Sequence, residues 1–209
     1  ITDINDSRFS WLEHSVLEDG SLKISGGDNV VLTLQNQSAA SGLSALIAQD
    51  QHVSCVMDFS PFTGGQTVTG VVEMAREADF DAVCGFYRTV DNLGRVIAAD
   101  GSVLSPGDVG YKEAALLQSN RVAGIDNLSV NDNETKEVAF SLSEFTHIAP
   151  YAIVNGESLF SFAAANSDGL SHFFNFGDNL FGLEDTIGGG DKDYDDVLIG
   201  FNFTALNSI

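Results

Sequence analysis

Residues Gly182–Phe203 read GLEDTIGGGDKDYDDVLIGFNF, and the last eight of them, DVLIGFNF, decide the fold class. Val197, Ile199, Phe201 and Phe203 recur at every second position. That is the period of a strand with one face in a core; a helix would bring its apolar residues back every three or four positions. Runs of the same kind continue outward along the chain: SLKIS, NVVLTLQ, HVSCVMDF, QTVTGVVEMA, FDAVCGFYRTV, GRVIAA, KEVAFSLS, PYAIVN and SLFSFAAA. Between them EDGS, DNLG and ADGS suit tight hairpins. The expectation is an all-β protein, a β-sandwich or jelly roll with one short helix, forming a single domain over residues 1–209. The helix falls at GYKEAALLQSNRV, residues 110–122, after Pro106, Gly107 and a capping or turn residue, Asp108. GLSALIA, residues 42–48, fits either state, and SVNDNETKE reads as a solvated loop.

Fifteen phenylalanines stand against one tryptophan and four tyrosines. Phenylalanine has no polar handle, so this balance points to a packed sandwich core and not to sugar-stacking platforms. Thirty acidic and nine basic residues leave a net charge of −21. Such a field repels phosphate backbones and anionic lipid, which excludes nucleic acid as a partner. Self-repulsion of that size calls for divalent cations or a salty extracellular setting, so the chain is expected to be secreted or held at a cell surface. No run reaches the ~18 apolar residues that would cross a bilayer, so membrane insertion is not expected. Beginning at Ile1, the chain is expected to be a mature form or an excised piece. Cys55 and Cys84 both lie in strand-like runs; either buried thiols or a disulfide would fit, and alternation favours the thiols.

The segment that runs into VLIGFNF carries Glu184, Asp185, Asp191, Asp193, Asp195 and Asp196 against one lysine, Lys192. A solvated turn needs far fewer acids. Carboxylates a few ångströms apart each disfavour the other's charge, and relief comes from protons, distance or a cation. With no thiol or imidazole among them, the donors suit an oxygen-seeking ion, Ca²⁺, better than zinc. Asp191, Asp193 and Asp195 alternate like the opening of an EF-hand loop, and Gly188, Gly189 and Gly190 allow a sharp turn. It is not an EF-hand: Asp196 stands where that loop requires glycine, Asn202 where it requires glutamate, and the flanks are strands. Asp185, Asp191, Asp193 and Asp196 are expected to converge on one ion, with Glu184 and Asp195 as further candidates. In a strand register Asp195 points the same way as Val197, so its carboxylate would need a partner.

These residues carry a resemblance. FGLEDTIGGGDKDYDDVLI is similar to the C-terminal signature of the bacterial family called domain of unknown function 4114: F-G-F-E-D, a glycine-rich turn, then D-x-D-[FY]-[ND]-D and an apolar residue. FSFAAANSDGLSHFFNFGDNLFG resembles the lead-in of such domains. READFDAVCGFYRTVDNLGRVI with LSPGDVGYKEAAL resembles the N-terminal half of longer secreted members, so the likeness covers about residues 70–203. It implies a β-sandwich of secreted or surface proteins, often found beside calcium-binding repeats, binding calcium and without an established enzymatic activity. The motif's acidic positions fall on Glu184, Asp185, Asp191, Asp193, Asp195 and Asp196. Leu183 departs from the family's usual Phe, and Asp195 from its usual Asn.

The resulting expectation is a noncatalytic calcium-binding module with an adhesion or structural role, partnered by calcium and by an extracellular polysaccharide or surface protein. The alternative is a calcium-dependent carbohydrate-binding domain, which an exposed aromatic platform beside the acidic loop would favour. A third, a hydrolase, could use Glu73, Glu77, Asp79 and Asp81, a weak signal in so acidic a chain. GLSAL lacks the second glycine of a nucleophile elbow. Asp168 and His172 in NSDGLSH read as a turn aspartate beside a surface histidine. The N-x-S/T matches at Asn36, Asn127, Asn133 and Asn202 carry little weight in a chain rich in Asn and Ser.

Overall fold

The computed structural model describes residues 13–16, 22–26, 30–34, 55–59, 66–143, 147–177 and 179–208. In chain order the strands are β1 (Glu13–Val16), β2 (Leu22–Gly26), β3 (Val30–Leu34), β4 (Met57–Asp58), β5 (Gln66–Arg76), β6 (Ala82–Thr89), β7 (Val96–Ile97) and β8 (Val103–Leu104). After helix α1 (Tyr111–Ala115) come β9 (Glu134–Ser143), β10 (His147–Val154), β11 (Glu157–Phe160), β12 (Phe173–Gly177), β13 (Leu180–Leu183) and β14 (Val197–Ser208). Ala163–Ala165 form a 3-10 turn.

β14 lies at the centre of a five-stranded sheet ordered β12-β13-β14-β5-β9. It pairs antiparallel with β13 over Val197–Gly200, and with β5 from Val197 to Ser208 across one register shift between Phe203 and Ala205. In the second sheet β10 pairs with β6 along one edge and with β11 and β4 along the other. Between the two sheets, Phe181, Val197, Ile199, Phe201 and Phe203 meet Cys84, Phe86, Ile148 and Ala152. The inward register read at Val197–Phe203 is the observed one. Phe86 packs edge-to-face with Phe201 and Phe181, with centroids 4.9 and 6.1 Å apart, the arrangement that ring quadrupoles favour. The fold is thus an all-β sandwich with one short helix.

The second sheet is buried on both faces. Residues of β6 and β10 alternate between the main core and a second one, in which Tyr87, Ala149, Tyr151 and Phe160 pack against Val56 and against Tyr111 and Ala115 of α1. The hydroxyls of Tyr87 and Tyr111 lie 3.0 Å apart, and that of Tyr111 donates to Gly94 O at 2.7 Å, which satisfies the polar ends of otherwise apolar rings. β1, β2 and β3 form a separate meander and β7 pairs with β8.

The helix is shorter than the sequence pattern over 110–122 predicts. Its N-cap is Gly110 without a side-chain bond, while Asp108 is a turn residue whose Oδ2 accepts the Ser105 N–H at 2.7 Å. After Ala115 the chain breaks into turns, and Asn120 Nδ2 donates to Ala114 O and Ile97 O, each at 2.7 Å. Residues 120–128 then line the open edge of β6: Arg88 N–H donates to Asn120 O, Phe86 N–H to Ile125 O and Leu128 N–H to Cys84 O. Val122, Ile125 and Leu128 bury in the main core by doing so. That burial, with a sheet edge offering backbone partners, outweighs helix propensities of a few tenths of a kcal/mol per residue. SLFSFAAA is likewise split, β11 ending at Phe160, and within SVNDNETKE β9 already begins at Glu134. GLSALIA lies outside the described residues. Cys55 and Cys84 are free, buried thiols; burial pushes Cys84 up to about 12 and Cys55 well above its usual value.

Candidate metal centre

β13 and β14 are neighbours with Leu183 opposite Val197, so the acidic loop between them leaves and re-enters the sheet at one place. The Asp185 N–H closes that neck by donating to Asp196 Oδ2 at 2.8 Å, and the Glu77 N–H donates to Asp196 O at 3.0 Å. Inside the loop Gly188, Gly189 and Gly190 have φ of 91°, 83° and 36°, and Lys192 and Tyr194 follow at 64° and 59°. Left-handed conformations at two non-glycine residues each cost on the order of 1–3 kcal/mol. They alternate with Asp191, Asp193 and Asp195, folding three successive carboxylates into a small volume.

Glu184, Asp191 and Asp193 each offer a carboxylate oxygen, and these lie within 4.8 Å of one another. Glu184 is buried and its Oε2 accepts the Lys192 N–H at 2.9 Å. Two glycines make the packing feasible. A Cβ at Gly190 would strike Glu184 Oε1, and one at Gly182 would strike the Tyr194 carbonyl, so the loop folds directly onto β13. Asp185 is 3% exposed; its Oδ1 lies 3.4 Å from Thr186 Oγ1, and its buried Oδ2 has no hydrogen-bond partner. The structure therefore brings Glu184 together with Asp191 and Asp193, and joins Asp185 to Asp196. Asp195 is half-buried with its carboxyl against that of Asp193.

The electrostatics follow from this crowding. Burial raises Glu184, against the Lys192 N–H it accepts, and the charge of Asp191 adds to the rise. Burial also raises Asp185, although Thr186, Asp196 and the buried guanidinium of Arg76 oppose it. Asp195 is pushed up to about 8 by burial first and then by Asp193, and Asp196 to about 7 by burial, against the Asp185 N–H. The cluster thus holds protons near neutrality unless a cation replaces them. All the donors are oxygens, and one buried oxygen lacks any donor, so these residues fit a hard divalent ion.

His172 is not the surface histidine the sequence suggests: it is fully buried. Its Nδ1 lies 2.7 Å from Glu184 O and its Nε2 3.0 Å from Asp168 Oδ2. Arg76 was not singled out by sequence reasoning either. It is 4% exposed at the end of β5, donates to the carbonyls of Ala78 and Phe80, and pairs with exposed Asp81 at 3.0 Å. A lone arginine in the acid-rich READFD was the available signal. Glu73 sits buried within β5, whereas Asp81 is exposed. Among the described residues, Glu184, Asp191 and Asp193 are the one group of three His, Cys, Asp or Glu close enough to share an ion. Asn202 is buried in β14, and Asn36 lies outside the described residues.

Residues 114–204 match the family model described as Domain of unknown function (DUF4114). That span includes all six acids of the loop together with Asp168 and His172, while residues 70–113, also part of the sequence resemblance, lie outside it. No curated protein and no solved structure matches the chain. Among the described residues no helix is long and apolar enough to cross a membrane.

Proposed function

For a chain that carries this domain of unknown function over residues 114–204, we propose a noncatalytic calcium-binding module of a secreted or cell-surface protein, with an adhesion or structural role. The observation that carries the reading is the oxygen-only cluster, Glu184, Asp191 and Asp193 within 4.8 Å, in a loop whose neck also holds the buried Asp185 Oδ2 with no hydrogen-bond partner. Calcium accepts six to eight oxygens in adaptable geometry, so carboxylates brought together in a glycine-rich turn suit it. Asp185 and Asp196 complete the set at the neck, with Asp195 beside Asp193. A bound ion would supply the charge that the loop lacks and would lock the entrance of β14. The carboxylates then serve as ligands and are occupied, which is the ground for the noncatalytic reading. A net charge of −21 supports a cation-rich extracellular setting.

The calcium-dependent carbohydrate reading has one observation in its favour: the half-buried rings of Phe174 and Tyr194, 5.6 Å apart, lie at the acidic loop. Titrating soluble polysaccharide into the calcium-loaded protein, with a Tyr194→Ala control, separates the two.

The primary test is scanning calorimetry with calcium and then with excess chelator, since an ion bound only by the native state raises its melting temperature. An unchanged midpoint overturns the proposal. Isothermal titration of Asp191→Ala, Asp193→Ala and Asp196→Ala then tests the site, and wild-type affinity in all three moves the ion elsewhere.

A further inference from the structure

Asp168 and His172 come from the segment before β12, and their hydrogen bonds end on both limbs of the glycine turn. The His172 carbonyl accepts the Glu184 N–H at 2.9 Å, and the ring Nδ1 meets the Glu184 carbonyl at 2.7 Å, so one residue holds the backbone of Glu184 at both polar atoms. The ring's other nitrogen meets Asp168 Oδ2 at 3.0 Å, and that oxygen also accepts the Gly188 N–H at 2.9 Å. Asp168 Oδ1 accepts the Leu170 N–H at 3.1 Å, and the Leu170 side chain stands over Gly189. Oxygen atoms stand at both ring nitrogens, so the ring is tethered at both ends. The bracket therefore runs from Glu184 through His172 and Asp168 to Gly188, and it closes the five-residue segment that carries Glu184 and Asp185.

We propose that Asp168 and His172 are the positioning pair of the cation centre, fixing Glu184 and the glycine turn so that the Glu184 carboxylate faces Asp191 and Asp193. This rests on the calcium reading above and adds to it residues that touch no ion. Partners that orient metal ligands in this way are typically worth about 10- to 100-fold in metal affinity. The pair is fully buried on the His172 side, and the fit of Gly190 against Glu184 Oε1 leaves little room for another approach.

The test uses the full chain, calcium titration, and Tb³⁺ as a luminescent probe, with Tyr194 as its sensitiser. Emission lifetimes in H₂O and D₂O count the waters on the bound ion. Asp168→Ala is expected to lose about 10- to 100-fold in calcium affinity and to gain about one or two waters on Tb³⁺ as the Glu184 carboxylate drifts from its place. Glu184→Gln is expected to gain the same waters, and adding Asp168→Ala to it should gain no more. If Asp168→Ala does not fold, Asp168→Asn carries the comparison, because its one oxygen can keep Leu170 or Gly188 but not both. A variant that melts earlier yet keeps wild-type affinity and hydration overturns the positioning role while leaving the calcium reading intact. A wild-type protein that binds neither ion overturns that reading and the positioning role together.

Discussion

Calcium titrated into the metal-free protein at pH 7 is expected to expel protons, in a number that the loop's geometry sets. Asp195 sits at about 8 and Asp196 at about 7 because both are buried among other acids. At pH 7 the first is therefore about nine-tenths protonated and the second about half. An ion requires bare carboxylates, so roughly one to two protons must leave Asp195 and Asp196 for each ion bound. The sign for stability follows by linkage. An acid whose folded value is raised binds more protons folded than unfolded, so the contribution of Asp195 and Asp196 to the stability of the metal-free protein is greatest in acid. That contribution is lost as pH climbs from the ordinary carboxylate range through about 7 to 8. Calcium affinity runs the other way, rising with pH until both groups are ionised. Isothermal titration at pH 7 in buffers of different ionisation enthalpy gives the proton number directly, and at pH 9 that number should approach zero. A heat independent of buffer at pH 7, or a proton number unchanged at pH 9, refutes the picture of crowded carboxyls displaced by an ion.

Asp185→Asn removes a buried charge beside Asp196; the metal-free melting temperature should rise by about 2–4 °C, while calcium affinity falls at least about tenfold, both read by calorimetry. Gly182→Ala drives a methyl into the Tyr194 carbonyl and should cost about 1–3 kcal/mol in urea unfolding, together with calcium binding; full retention of both would mean that the loop does not rest on β13. Phe201→Ala empties a position bounded by Phe86, Phe140 and Phe181 and should cost about 3–5 kcal/mol by the same unfolding assay. Cys55 and Cys84 should stay silent to a thiol reagent in the native protein and both react once it is unfolded, with reductant leaving the melting temperature unchanged.

Where side chains alternate, sequence and structure agree. Val197, Ile199, Phe201 and Phe203 face the core as their spacing requires, because the strand's period leaves no other register with an apolar interior. The hairpin of β12 and β13 escaped the strand pattern since Phe173, Phe174, Phe176, Leu180 and Phe181 keep no period of two, and a bulge between Asn175 and Gly177 shifts the register. The helix over 110–122 was overdrawn because propensity sees only neighbours, whereas the edge of β6 that captures residues 120–128 lies more than thirty residues back. At the site, the acids were legible from charge density alone. Their arrangement was not: Glu184 joins Asp191 and Asp193 only because Lys192 and Tyr194 turn left-handed, and no residue type at those positions announces it. His172 looked exposed because its cover is the backbone of a loop it meets twelve residues later.

The order β12-β13-β14-β5-β9 also sets a timetable. Arg76 of β5 pairs with Val197 of β14, so a ribosome adding roughly 5–20 residues per second leaves one edge of β5 open for roughly 6–24 s before its partner exists. Until then the antiparallel pair of β5 with β9 and the hairpin of β12 with β13 each present an unpaired edge to the place β14 will fill. Such long-range closure is slow in its own right. The stretch that finally joins them arrives directly behind the acidic loop, so the last strand to enter the sheet is threaded past six carboxylates whose mutual repulsion resists the neck closing. If the loop takes the proposed cation, the ion that relieves this repulsion also holds closed the neck through which the last strand enters the sheet.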